Sequence, residues 1–100
     1  MKIFYITLNS NDDAKKISKI LLENRIAVCT NWFPIQCAYR WQGEIKQGEE
    51  VVLIVKTTEN RRADIEKVIA SHIGYTNFIA ELNVQSVNEP FAAWLKAEVV

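Results

Sequence analysis

The 100-residue chain is 49% hydrophobic, and its twelve basic residues balance twelve acidic ones, so its formal net charge at pH 7 is zero. This length suits one domain, over residues 1–100, and the charge balance gives no indication of nucleic acid or a membrane surface as a partner. Two cysteines, Cys29 and Cys37, are too few for a disulfide scaffold and favour a reducing, cytoplasmic location.

The first predicted element is a strand over residues 3–8, apolar on both faces and ended by a polar run. It is too short for the core of a signal peptide or for a membrane span. Apolar residues then recur at helical spacing, with candidate N-caps just before them at residues 10–12. These residues are Ala14, Ile17, Ile20, Leu21 and Leu22. The pattern predicts a helix that reaches about Arg25.

Residues 29–57 are predicted to form a long β-hairpin, because aromatic and β-branched residues bracket a glycine-bearing turn at 42–44. Each arm exceeds the mean strand length of about 5–6 residues. At about 3.3 Å per residue the first arm approaches roughly 40 Å, whereas a domain of this length has a radius of gyration of about 13 Å. We therefore expect the hairpin to bend at Pro34, with a bulge there, and to reach beyond its own domain.

The second half repeats the order of elements. A helix follows residue 62, with apolar residues and His72 on one face and a stop at Gly74. Residues 78–87 are predicted to form a strand. A short final helix then begins after residues 88–90, where a proline suits the first helical turn.

This order predicts an α+β fold, a ferredoxin-like βαββαβ sandwich with a long hairpin and a short C-terminal helix. Both helices should cover one face of a four-stranded antiparallel sheet. An antiparallel sheet that faces water alternates apolar with polar residues, yet residues 3–8 and 51–55 do not alternate. The pattern therefore predicts a second apolar face, covered by further copies of the chain in a homo-oligomer.

The sequence resembles the CutA family of divalent-cation tolerance proteins. Three segments carry the resemblance: 25–31 (RIAVCTN), 39–45 (YRWQGEI) and 50–57 (EVVLIVKT). The resemblance implies a ferredoxin-like homotrimer built by strand pairing between subunits, like the PII-type signal proteins. It also implies a link to copper and other divalent metals, none of which is expected to be needed for folding.

Hairpin residues are predicted to lie at the subunit interface, because interface cores favour tryptophan, tyrosine and arginine. The predicted interface residues are Tyr39, Trp41, Trp32, Arg40 and Glu44. Stacking of nucleic acid bases on these aromatic residues is the weaker interpretation, since only one basic residue is interleaved with them.

Two residues are candidate metal ligands. His72, the only histidine, is a partly buried residue bonded to a neighbour, a residue that stabilises the helix C-terminus, or a ligand for copper or zinc. Cys29 is either a small buried hydrophobic residue or a thiolate ligand for copper(I) or zinc. Cys37 would lie about 26 Å from Cys29 along a straight strand, so these three residues are not expected to form one site within a chain.

The loop after His72 departs from the family pattern. The family usually has Pro-Tyr-Glu-x-Pro-Glu there, whereas this chain has HIGYTNF over residues 72–78, without those glutamates and with Tyr75 displaced by one place in an ungapped alignment. Loss of hard oxygen ligands predicts weaker and less general binding of divalent cations, with copper retained best.

No nucleophile lies at recognisable spacing from a histidine and an acid, and no glycine-rich loop suits a phosphate, so we do not expect an enzyme. Two functions remain. The first is a trimeric divalent-metal-binding protein in copper or divalent cation tolerance or homeostasis. The alternative is a PII-like trimeric signalling or scaffold protein that binds a small ligand or a protein partner in clefts between subunits.

Overall fold

A computed structural model describes all residues, 1–100. Seven elements follow in the order β1 (Lys2–Leu8), α1 (Asn11–Glu23), β2 (Cys29–Trp41), β3 (Glu44–Thr57), α2 (Arg62–His72), β4 (Ile79–Asn83) and α3 (Glu89–Glu98). The four strands form one sheet in the order β2-β3-β1-β4, and every neighbouring pair is antiparallel. This is the predicted ferredoxin-like α+β architecture, which is thereby confirmed.

The main core lies between the sheet and the pair α1 and α2. Alternate residues of β1 and β3 point to this side, which we call the helix face, and meet the apolar stripes of the two helices. The twelve buried residues of this core are Phe4, Ile6, Leu8, Ala14, Ile17, Leu21, Ala27, Val51, Leu53, Val55, Ile65 and Ile69. Each large aliphatic side chain buried here contributes about 1.5–3 kcal/mol to folding.

The β2–β3 hairpin is paired without interruption from Cys29 opposite Lys56 to Trp41 opposite Glu44. The predicted bulge at Pro34 is therefore wrong. β2 lies at the edge of the sheet, where a proline is tolerated because alternate N–H groups point away from the partner strand. Two residues with positive φ, Gln42 at 49° and Gly43 at 80°, close the hairpin as a two-residue turn requires.

The hairpin reaches beyond the core, as expected. The molecule measures 47 × 27 × 21 Å with a Cα radius of gyration of 14.4 Å, above the value of about 13 Å for a compact domain of this length. Residues 36–49 form the distal part, and all of them except Cys37 are exposed. This part of the hairpin therefore lacks a covering layer within its own chain.

β4 is shorter than predicted, at Ile79–Asn83 rather than residues 78–87. Asn83 lies opposite Lys2, which is the first residue of β1. β4 therefore ends where its partner strand begins, and the chain leaves the sheet after Asn83. α3 then begins after Asn88, with a proline in its first turn, as predicted.

α3 packs on the other side of the sheet, which we call the open face. There Leu95 and Val99 form a small buried cluster with Val28, separate from the main core. Lys56, which points to this side from β3, places its Nζ atom 5.7 Å from the centre of the Phe91 ring. α3 thus covers one end of the open face, near the start of β2.

The segment after α2 is held by side-chain hydrogen bonds to the end of β1 and the start of α1. The hydroxyl of Tyr75 donates to Asp13 Oδ2 at 2.6 Å and accepts from the Asn9 N–H at 2.9 Å. The Asn77 side chain donates to the Thr7 carbonyl at 3.0 Å. Burial, and then the hydrogen bond to Asp13, raise the pKa of Tyr75 from 10.0 to about 12.

Ionisation of Tyr75 is expected to destabilise the fold, because the protonated hydroxyl is the donor to Asp13. Since the folded pKa is raised, the stabilising contribution is complete below pH 10 and is lost as the pH rises through about 12. The free energy of unfolding should therefore fall more steeply over this interval in the wild type than in Tyr75→Phe. Denaturant unfolding at a series of pH values measures this difference, and equal slopes would contradict it.

Candidate functional site

His72 is the last residue of α2, and its side chain is exposed. The interpretation of His72 as a partly buried residue is therefore wrong. Ile65 and Ile69 are the buried residues of this helix, and the chain turns into an extended conformation at Ile73, so no further element covers the histidine. Its position in the last turn suits a cation, which is favourable at a helix C-terminus.

Cys29 is the first residue of β2, and its side chain is half-buried. It packs against the cluster of Val28, Leu95 and Val99. Cys29 pairs with Lys56, and Lys56 pairs with Ile3. Phe4 and Val55, the chain neighbours of Ile3 and Lys56, are buried on the helix face, so Ile3, Lys56 and Cys29 point to the opposite face of the sheet. The thiol is therefore on the open face, next to α3.

The sheet separates the two candidate ligands. α2 packs on the helix face, whereas Cys29 lies on the open face, so His72 and Cys29 do not form one site within the chain. In addition, no group of three or more His, Cys, Asp or Glu side chains is arranged to hold a metal ion. Any closed metal site that uses either residue needs ligands from outside this chain.

Cys37 lies on the same face of β2 as Cys29, because the register of the hairpin is unbroken. It sits eight positions further along the strand, opposite Gly48. Burial, and then the charge of Glu50, raise the pKa of the Cys37 thiol above 9.0. A raised pKa makes the thiolate harder to form, which disfavours Cys37 as a thiolate ligand.

The five predicted interface residues are exposed in the single chain but lie on two different faces of the hairpin. Tyr39, Trp41 and Glu44 share the open face, whereas Trp32 and Arg40 lie on the helix face. Tyr39 is 51% exposed and Trp41 is 56% exposed. Such large exposed aromatic groups indicate a surface for a partner.

The open face continues this apolar surface across the sheet. Phe33, Phe78 and Leu82 are all more than 40% exposed. The rings of Tyr5 and Phe78 pack edge to face, with 6.2 Å between the ring centres. α3 covers only the end near Cys29. The part of the open face that α3 does not cover is the second apolar face that we predicted because strand residues 3–8 and 51–55 do not alternate between apolar and polar.

Two contacts near the candidate ligands could not be found from sequence patterns. Tyr75 reaches Asp13 across 62 positions of the chain, and Arg25 reaches the C-terminal end of α3 across more than 70 positions. Neither pair of residues has a sequence spacing that would predict a contact. The signal for Tyr75 is its place in the loop that is compared with the family pattern, and the signals for Arg25 are its place at the end of a predicted helix and at the start of the segment 25–31 that carries the resemblance.

A shallow groove of about 410 Å³ lies between α2 and the segment that follows His72. Glu66 and Asn77 supply polar groups, and isoleucines supply much of the apolar lining. The lining residues from the end of α2 onward are Ile69, Ala70, Ile73, Gly74, Tyr75, Thr76 and Ile79. The groove mixes apolar and polar groups and is open to solvent along one side.

Comparison of sequences finds the CutA1 divalent ion tolerance protein family over residues 2–98. The divalent-cation tolerance protein CutA of Thermotoga maritima is 35% identical over 101 aligned residues, which cover 100% of both chains. The protein of the same name from Archaeoglobus fulgidus is 34% identical over 95% of this chain and 94% of its own length.

Solved structures agree with this assignment. The structure described as the periplasmic divalent cation tolerance protein CutA from Archaeoglobus fulgidus superposes with a TM-score of 0.94, at 31% identity over 100% of both chains. CutA1 from Pyrococcus horikoshii superposes with a TM-score of 0.92, at 32% identity over 100% of this chain and 99% of its own. With nearly the whole chain matched in both sequence and fold, this protein belongs to the CutA1 divalent ion tolerance protein family.

Proposed function

We propose that this protein is a trimeric divalent-metal-binding protein that acts in copper or divalent cation tolerance or homeostasis. Membership of the CutA1 divalent ion tolerance family is the main observation that supports this proposal. We propose that residues 1–100 act as one domain and that the protein is not an enzyme, in keeping with a family named for divalent ion tolerance. None of the three helices has both the length and the hydrophobicity that a transmembrane helix requires. A cytoplasmic location remains a prediction from the cysteine content.

The uncovered apolar surface supports the trimer. The open face and the distal hairpin expose aromatic side chains that a soluble monomer rarely leaves in water as one continuous surface. The outer edge of β2 has no partner strand, and an unpaired edge of thirteen residues is a template for pairing with another chain. Copies of the same chain provide a complementary partner for both features.

The distribution of ligands favours a metal site completed between copies or by a bound molecule. A closed site for copper or zinc takes about four ligands, and His72 is the single histidine of each chain. Rotational symmetry places equivalent residues of each copy around one axis, so a residue that occurs once per chain can supply several ligands. We propose His72 and Cys29 as ligands of separate sites, because the sheet lies between them.

The second candidate is a PII-like signalling or scaffold protein. The groove of about 410 Å³ beside the segment after His72 favours it. This segment lacks the glutamates of the family pattern, and it is fixed by the bonds of Tyr75 and Asn77. A fixed wall beside a partly apolar groove suits a small organic ligand better than a divalent cation.

Assembly is tested in dilute solution. We expect light scattering at micromolar concentration to give three times the 11.5 kDa mass of the chain, because burial of the open face and the hairpin requires neighbours. Dilution should not release a monomer over a tenfold range. A monomeric mass under these conditions would overturn the trimer and the account of the uncovered apolar surface.

Trp41 at the tip of the hairpin tests how the assembly is held. If Trp41 packs on a neighbouring subunit, Trp41→Ala should cost about 3–5 kcal/mol, as loss of a large buried aromatic group does. The loss should appear as dissociation in light scattering or as a lower melting temperature. Trp41→Phe, which keeps an aromatic ring, should retain the trimer, and an unchanged Trp41→Ala protein would show that the residue stays in solvent.

Metal binding is tested by calorimetric titration of the reduced protein with copper and with zinc. His72→Ala and Cys29→Ser should each weaken binding at its own site and leave the other site intact. The loss should be at least the roughly 10–100-fold that follows removal of a residue that supports a metal ligand. Cys37→Ser is the matched thiol control and should leave binding unchanged. Binding should also weaken on acidification, since a ligating imidazole must be neutral.

All variants are first checked for an unchanged oligomeric state. Copper should bind more tightly than zinc, and magnesium and calcium should give no signal, because nitrogen and sulfur ligands select the softer metals. Absence of copper and zinc binding in the wild type, or unchanged binding in both ligand variants, would remove the metal proposal in favour of the signalling candidate.

A further inference from the structure

We draw no further inference here: the strongest candidate, the groove between α2 and the segment that follows His72, belongs to the signalling function already proposed, and because its single charged lining residue, Glu66, already pairs with Arg62 at 3.5 Å, nothing in the structure shows which ligand would occupy it.

Discussion

The fold depends on β3, which pairs with β1 on one side and with β2 on the other. Residues 51–56 lie between two partner strands, whereas Glu44 to Glu50 pair with β2 alone. The first of these segments is therefore buried in the sheet, and the second must extend past the core as one arm of a two-stranded ribbon. A two-stranded ribbon is marginally stable in water by itself, so the projecting arms require another surface.

The same pairing divides the chemistry of the chain between two faces. Because side chains alternate along each strand, the unbroken register from Cys29 to Trp41 fixes which residues can meet. Cys29, Cys37, Tyr39 and Trp41 face the side that α3 covers only in part, whereas α2 and His72 belong to the other side. A soft-metal site built from the cysteine and the histidine of one chain is thereby excluded by topology rather than by distance along the sequence.

Much of the fold could be predicted because its signals are local. The helical spacing of Ile65 and Ile69, the serine cap at Ser10, which accepts from the Asp13 N–H at 3.1 Å, and the glycine turn at Gly43 each depend on a few neighbouring residues. The end of β4 could not be predicted in this way, since it is set by where its partner β1 begins. The prediction of a bulge at Pro34 was wrong because proline disrupts a central strand but is tolerated in an edge strand. The sequence alone does not show which strand lies at the edge of the sheet.

The candidate site was less predictable than the fold for a related reason. The helical spacing placed His72 on an apolar face, but exposure depends on whether another element continues past the last turn, and here none does. Arg25 and Tyr75 act through partners that are distant in sequence, so their residue types carry no sign of their roles.

The segment after His72 combines these effects in one place. Prolines would stiffen such a segment through the backbone, since they restrict φ. This chain has no proline there, and instead Tyr75 and Asn77 hold the segment through hydrogen bonds to Asp13 and to the Thr7 carbonyl. The conformation is thus maintained by side chains, whereas the carboxylates of the family pattern are missing. The geometry of this segment is therefore independent of hard-cation ligands, because its hydrogen bonds run to β1 and α1 and require no bound ion.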